Sequence, residues 1–314
     1  MADFNLKIII PGAAGLVGQN LIILLKERGY RNIVAIDQHP YNLKYLRELH
    51  PDIEIIQADV SKPGEWIESF EGGDVLIMLQ AQITSKTAEP FVQNNIVATK
   101  HILEASKRFA IPYIVHISSS VVISVADDDY TRTKTEQEEI VINSGFNHCV
   151  LRPTLMFGWF DRKHLGWLSR FMKVTPVFPI PGDGKFMRQP LYVKDFCRVI
   201  IACMEQRPDG GVYNITGKER IDYVDIIRTI KRIKKLRTFI LHIPMGLFYY
   251  LLKLYAVFSK KPPFTADQLK ALTAGDQFPE DPWWKEFDIT PTPFDQAMWE
   301  THHDARYSSY ILKR

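Results

Sequence analysis

The chain has 314 residues, 46% of them hydrophobic and 24% charged, an ordinary composition for a folded globular protein of one or two domains. A net charge of +3 gives no argument for a nucleic-acid partner, and the three cysteines, Cys149, Cys197 and Cys203, have neither metal-knuckle spacing nor the number a disulfide framework needs. They point to a reducing compartment; the opening MADFNLKIII has no basic start or extended apolar core, so no signal peptide is evident and a cytoplasmic location is expected.

The first half alternates short apolar runs with amphipathic segments. LKIII (6–10) precedes GLVGQNLIILLKERG, whose apolar residues recur at helical spacing up to Gly29. NIVAID (32–37), a helical YNLKYLREL (41–49), IEIIQAD (53–59) and a short GEWIESF follow. DVLIMLQ (74–80) leads to a long helix near 89–109, then YIVHISSS (113–120), a helix from about 130, and HCVLRP (148–153). Short apolar strands between amphipathic helices predict a parallel sheet buried on both faces, a doubly wound α/β domain of Rossmann type.

After Pro153 the rhythm breaks into a stretch rich in aromatics, Gly and Pro. Strand and helix return at LYVKDFCRVIIACMEQ (191–206) and GVYNITG (211–217), and the remainder reads as helical up to a Pro- and Trp-rich end. The expected organisation is interleaved. Residues 1–155, rejoined by 190–217, form the first lobe; 156–189 and 218–314 form a smaller, mostly helical second lobe that would receive a substrate.

Residues 239–258, FILHIPMGLFYYLLKLYAVF, are mostly apolar, interrupted by His242, Pro244 and Lys253. They follow the basic RTIKRIKKLR (228–237), whose isoleucines share one helical face. A span takes about 20 apolar residues, and the proline and lysine argue against one here. Two readings stay open: a solvated basic helix followed by a buried or partly exposed one, or contact with a membrane surface or an apolar ligand. His242, His302 and His303 lack partners at metal-ligand spacing, so no metal site is expected.

KIIIPGAAGLVGQN places Gly12, Gly15 and Gly18 between the first strand and the first helix. Glycine lets the backbone turn tightly and approach a pyrophosphate, which the N–H groups and positive dipole end of the helix then receive. The spacing is G-x-x-G-x-x-G. An acid, Asp37, closes the second strand, where a carboxylate accepts from adenosine ribose hydroxyls and repels a 2′-phosphate. Gln38 and His39 supply no arginine for such a phosphate, so NAD is expected over NADP. Asp59, with Val60, ends the third strand, either at the adenine edge or as a simple turn aspartate.

Taken together, GAAGLVG, AID, QAD, NNIVATKHILEASK, IVHISSS, YTRTK, LRP and GDGKFMRQPLYVKDF resemble, in order, the motifs of the extended short-chain dehydrogenase/reductases, the nicotinamide-dependent epimerase/dehydratase group. They run over about residues 6–217. The resemblance implies that the first lobe binds NAD through Gly12, Ala14, Gly15, Leu16, Val17, Gly18, Asp37, Asp59, Val60, Gln80, Ala81, Tyr130 and Lys134. It makes Tyr130 the general acid/base and Lys134 the ammonium that lowers the phenol's pKa and holds the nicotinamide ribose. Ser119, with Ser120 as runner-up, would orient the substrate oxygen, and Asn95 would support the site through backbone and water contacts.

Asp127–Asp129 suit the start of the helix that carries Tyr130 and Lys134 on one face. The family's Tyr-Gly after the serine strand is Ile123-Ser124 here, and the serine-to-tyrosine interval is short. Arg188 matches an arginine that often meets a nucleotide diphosphate, while Asp195 reads as an anchor or cap and Arg152 as structural. The C-terminal third is more similar to the atypical branch related to the accessory dehydrogenase-like subunit of respiratory complex I. The resemblance therefore implies an NAD-dependent epimerase, dehydratase or dehydrogenase acting on a hydroxyl or carbonyl carbon, with a nucleotide sugar as default substrate. Its alternatives are a non-catalytic nucleotide-binding assembly or sensor subunit and a dehydrogenase for a lipid-like substrate. A homodimer through two helices of the first lobe is a further expectation.

Overall fold

A computed structural model of the chain describes residues 3–124, 128–258, 269, 278–279 and 281–313, the side chains of 255–258 excepted. Seven parallel strands form its main sheet: β1 (Ile8–Pro11), β2 (Ile33–Asp37), β3 (Glu54–Gln57), β4 (Val75–Met78), β5 (Ile114–Ile117), β6 (His148–Pro153) and β11 (Gly211–Ile215). Their order is β11-β6-β5-β4-β1-β2-β3. The apolar runs lack polar alternation because both faces are covered. Ile8 and Ile10 join α1 (Leu16–Glu27), α2 (Pro40–Leu49) and α7 (Val193–Gln206) on one face. Ile9, one residue out of phase, packs on the other with Trp66 and Phe70 of a 3₁₀ turn and Ile102 of α4 (Ala98–Arg108).

The chain leaves β1 toward β2 and β3, then returns past it to β4, so the strand order reverses between β1 and β4. At such a point the crossover helices diverge and leave a crevice beyond the carboxyl ends of the strands. Four further segments bring residues to that edge: α3 (Glu89–Phe91), a π-helical Val92–Val97 that runs on into α4, a 3₁₀ turn at Ser120–Ile123, and α5 (Asp129–Ile142).

The second core cluster is built from α6 (His164–Val174), α8 (Tyr223–Ile233), α11 (Phe294–His303) and three short ribbons. These pair β7 (Met156–Phe157) with β10 (Leu191–Tyr192), β8 (Val177–Pro181) with β13 (Phe239–Ile243), and β9 (Met187–Arg188) with β12 (Ile221–Asp222). Helix α8 buries Val224, Ile226, Ile227, Ile230 and Ile233, the stripe expected of its isoleucines, and ends before Lys235, whose φ of 51° is left-handed.

Residues 239–258 depart from the helical reading. Phe239–Ile243 is a strand, and Pro244 separates it from α9 (Met245–Phe258). Proline lacks an N–H, and the aromatic and branched FILHI satisfies its backbone on β8, about sixty residues earlier, a partner no local pattern could supply. Among the described residues, no helix is long and apolar enough to cross a membrane.

The Trp-rich end, with α10 (Trp283–Glu286), divides its packing. Trp283, Phe287 and Leu312 join the first-lobe core, whereas Phe294, Ala297 and Met298 join the second. Trp283 donates its indole N–H to Thr216 O at 2.9 Å. Asp195, buried on α7, accepts from Thr292 N and Thr292 Oγ1, each at 2.8 Å, and so anchors this segment as its sequence context suggests. Most of FTADQLKAL, like Asp127, lies outside the described residues.

Candidate active site

The glycine loop is shaped by close backbone approach. Gly12 has φ +84°, and a Cβ there would stand 2.6 Å from Gln80 N and Leu79 C at the end of β4. At Gly18 a Cβ would stand 2.2 Å from Ala13 O, so only glycine lets α1 start this close to the turn. Gly15 differs: its Cβ would meet only Gly12 O, at 3.3 Å, which leaves open space over the loop. The first-turn N–H groups of α1 lack intrahelical acceptors by geometry, and the turn holds no acidic side chain, so it can receive an anion. Ala14, Leu16 and Val17 complete this turn, with Leu16 and Val17 half-buried against the core.

Asp37 closes β2 beside the loop. Its Oδ2 accepts from Ala14 N and its Oδ1 from His39 N, both at 2.9 Å. Burial raises its pKa despite those bonds. Each oxygen keeps a lone pair, so the carboxylate can still accept from a diol. Asp59 is engaged more locally: Oδ1 accepts from Ser61 N at 3.0 Å and Ser61 Oγ at 2.6 Å, and Oδ2 pairs with Lys62 at 3.3 Å. Val60, next to it, packs half-buried against the second face of the sheet.

Across the crevice, Ser119 caps the 3₁₀ turn after β5, its Oγ accepting from Val121 N at 3.4 Å, and its hydroxyl is near enough to the Tyr130 phenol to oppose the rise in that phenol's pKa. Asp128 fixes the start of α5 by accepting from Thr131 N at 2.7 Å, and the Phe91 ring lies 6.3 Å from the Tyr130 ring. Ser119 and Tyr130, which the resemblance pairs, are therefore brought together, with Ser120 buried just after Ser119. Lys134 is placed differently. Its ammonium donates to Ile117 O at 2.9 Å and Gln137 Oε1 at 2.5 Å.

The pKa of Tyr130 is raised, not lowered: burial is the main cause, the Ser119 hydroxyl opposes it, and Asp128 adds to it. The expected phenol drawn down by Lys134 is not found: burial instead raises it, and the ammonium bonds Ile117 O and Gln137 Oε1. Burial also draws Lys134 down to about 7, with Glu138 opposing.

Asn95 stands on the π-helical turn, fully buried. Its Oδ1 accepts from Gln82 N at 2.7 Å, and its Nδ2 donates to Thr133 Oγ1 at 3.0 Å and Gln82 O at 3.3 Å. It thus ties the loop after β4 to α5. Extra residues of this π kind recur where a helix must present a side chain out of regular phase.

Several polar residues here escaped the sequence reading. Gln137, one turn beyond Lys134, donates to Thr99 Oγ1 at 2.9 Å, and Gln80 donates to the same oxygen at 3.2 Å. A buried chain Gln80–Thr99–Gln137–Lys134 therefore links the loop after β4 to the lysine. Gln137 lies three residues after Lys134 and seven after Tyr130, a helical phase that could have revealed it. Ser118 and His116, on β5 or just after it, are also buried; burial, with Lys134 and His148 adding to it, holds His116 well below the ordinary imidazole pKa. Among the described residues, Gln80 Oε1 and Ser118 Oγ are buried without a hydrogen-bond partner, so this crevice offers polar atoms that a ligand could meet. Ala81 is exposed at its mouth. The open cradle at Gly15, the Asp37 carboxylate and these unmet polar atoms fit a dinucleotide.

Other predicted residues stand apart. Arg188 is on β9, opposite Ile221, and its charge acts on the half-buried Tyr223 phenol. Arg152 pairs with Glu138 through Nε at 3.1 Å and through Nη2, a structural link between β6 and α5. Among the described residues, no group of three or more His, Cys, Asp or Glu side chains is placed to hold a metal ion.

The chain is 24% identical over 272 residues to UDP-N-acetyl-alpha-D-glucosaminuronate decarboxylase of Bacillus cytotoxicus, covering 77% of this chain and 85% of that protein. It is 23% identical over 293 residues to the mouse mitochondrial NADH dehydrogenase (ubiquinone) 1 alpha subcomplex subunit 9, covering 90% and 76%. UDP-glucuronic acid 4-epimerase of Bacillus cereus, solved in complex with NAD, superimposes with a TM-score of 0.66 at 25% identity, covering 85% of this chain and all of that one. The model of the NAD dependent epimerase/dehydratase family matches residues 8–216, from β1 to just past β11, and the chain belongs to that family.

Proposed function

We propose that the protein interconverts a hydroxyl and a carbonyl on a nucleotide sugar, as an epimerase, dehydratase or dehydrogenase. One observation carries the reading: Ser119, just after β5, and Tyr130, on α5, come together beyond the carboxyl ends of the strands, at the same edge as the glycine loop and Asp37. Gly12, Ala14, Gly15, Leu16, Val17 and Gly18 would hold the pyrophosphate of NAD, and Asp37 its adenosine ribose. Asp59 and Val60 would border the adenine, and Gln80 and Ala81 the nicotinamide end. When bound, NAD supplies the hydride acceptor.

The remaining chemistry belongs to the chain. Burial keeps the Tyr130 phenol protonated, so at neutral pH it is poised to give a proton to a substrate oxygen, with the Ser119 hydroxyl fixing that oxygen's direction. Taking a proton back requires positive charge near the phenolate. Lys134, one turn along the same helix, would supply it on leaving Ile117 O and Gln137 for the ribose hydroxyls. Asn95 would keep Tyr130 in place through Thr133 and the Gln82 backbone. Ser120 would border the substrate, and Arg188 would meet its diphosphate as a guanidinium fork.

On this reading residues 1–155 with 190–217 serve the nucleotide, and 156–189 with 218–314 the substrate. The fit to the bacterial decarboxylase and the UDP-sugar epimerase supports a nucleotide sugar. Turnover should be assayed on a panel of UDP- and dTDP-sugars. Tyr130→Phe should lower kcat by at least about a hundred-fold while NAD binding stays nearly intact; unchanged turnover sinks the assignment. A cytoplasmic enzyme and a homodimer complete the proposal.

A second reading has its own support. The complex I subunit covers more of this chain, 90%, than the decarboxylase does, 77%. A stable complex with a partner protein that forms equally well with Tyr130→Phe, and no turnover of any sugar, would favour a nucleotide-binding assembly subunit.

A further inference from the structure

The second lobe carries an exposed apolar row that no part of the proposed site uses. In the β8–β13 ribbon Val177 pairs with Phe239, and Pro179 with Leu241. Phe178 and Ile240, one residue out of phase, turn to the core. Strand alternation should make the outer face polar. Here it is apolar, with Phe239 exposed by 62%. After Pro244 the row continues along α9, where Leu247, Tyr250, Leu251 and Leu254 follow the i, i+3, i+4, i+7 spacing of one helical face and are all exposed, Tyr250 by 70%. Phe248, about 100° round the helix from Leu247, is buried and anchors the helix. Scattered exposed apolar residues are ordinary, but a continuous row marks a contact surface.

The charge around this row decides what it contacts. Between Asp225 and Asp267 the sequence holds nine lysines and arginines and no carboxylate, whereas the whole chain carries only +3. The rest of the sequence is therefore net negative; of the nine, Arg228 and Arg232 pair with Asp225 and Asp295, and Lys260 and Lys261 lie outside the described residues, which leaves Lys231, Lys234, Lys235, Arg237 and Lys253. Lys235 and Arg237 are exposed just before β13, Lys173 just before β8, and Lys253 on α9 itself, over the Tyr249 ring at 4.7 Å. A second copy docked face to face would bury the apolar row but set these cations against one another. Acyl chains under anionic headgroups satisfy both, with the apolar side chains inserted and the cations at the phosphates. At 14 residues α9 is about 21 Å long, too short to span a bilayer but suited to lie along its surface.

We infer that β13 and α9 form a membrane-surface anchor for anionic lipid, with Phe239, Leu241, Leu247, Tyr250, Leu251 and Leu254 entering the interface. The inference does not depend on the reaction proposed above. It is tested by floating the full chain with vesicles of phosphatidylcholine alone and of phosphatidylcholine with roughly 30% phosphatidylglycerol. The chain should float with the anionic vesicles, at least about ten-fold less with the neutral ones, and less as salt rises. Leu247→Glu/Leu251→Glu and, independently, Lys235→Glu/Arg237→Glu should each lower the bound fraction about ten-fold with an unchanged Tm. Flotation of either double variant equal to that of the wild type would overturn the anchor, as would absence of binding to anionic vesicles. A dimer dispersed by Leu247→Glu/Leu251→Glu, with no vesicle binding, would give the face to a second copy instead.

Discussion

The two sides of the crevice are held by different means. On the glycine side the geometry belongs to the backbone: Gly12 against Gln80, Gly18 against Ala13, and Asp37 fixed by two main-chain N–H groups. On the tyrosine side it belongs to buried side chains, the chain Gln80–Thr99–Gln137–Lys134 and the Asn95 clamp. A backbone cradle is complete before any ligand arrives. The buried side-chain network engages the lysine, whose ammonium bonds Ile117 O and Gln137 Oε1.

The largest way to test this contrast is through Lys134. Its pKa is drawn to about 7 in the folded chain against 10.5 for a free lysine, so between those values the unfolded chain holds a proton that the folded one does not. Stability must therefore rise with pH across that window. The gap in unfolding free energy between wild type and Lys134→Met should shift in favour of the wild type by up to about 5 kcal/mol from pH 7 to 10.5. Denaturant titrations at several pH values read it, and a flat difference would mean that the ammonium is not desolvated.

Gly18→Ala comes next. Its methyl would collide with the Ala13 main chain, which cannot swing aside, and should cost about 3 kcal/mol of stability together with nucleotide binding. Gln137→Leu should cost about 2 kcal/mol, because Lys134 and Thr99 each lose a buried partner. Gly15→Ala is the smallest in stability, below about 1 kcal/mol, since only Gly12 O stands near. It should nonetheless weaken NAD, measured by calorimetric titration, because the methyl occupies the open cradle. Equal stability losses at Gly15 and Gly18 would erase the distinction between cradle and scaffold.

Much of this arrangement was legible in the residues. Unbroken runs such as III (8–10) and VLIM (75–78) have no polar face to show to water, so they force a sheet covered on both sides, and the glycines then mark where the first strand must turn. Tyr130 and Lys134 at four-residue spacing share a helix face in any helix. What a spacing does not reveal is which oxygen a long side chain reaches, or how deeply a phenol is covered: Lys134 bonds Ile117 O and Gln137, and burial raises the Tyr130 pKa. Strand β13 was missed because its partner, β8, is distant in sequence, and the Thr99–Gln137 link because its two residues come from different helices.

The measurement that bears most directly on the account is a side-by-side titration of the purified protein with NAD and NADP. Asp37, beside the loop and without a neighbouring arginine in Gln38 or His39, predicts NAD binding at least about ten-fold tighter than NADP. Tighter binding of NADP, or binding of neither, would contradict it.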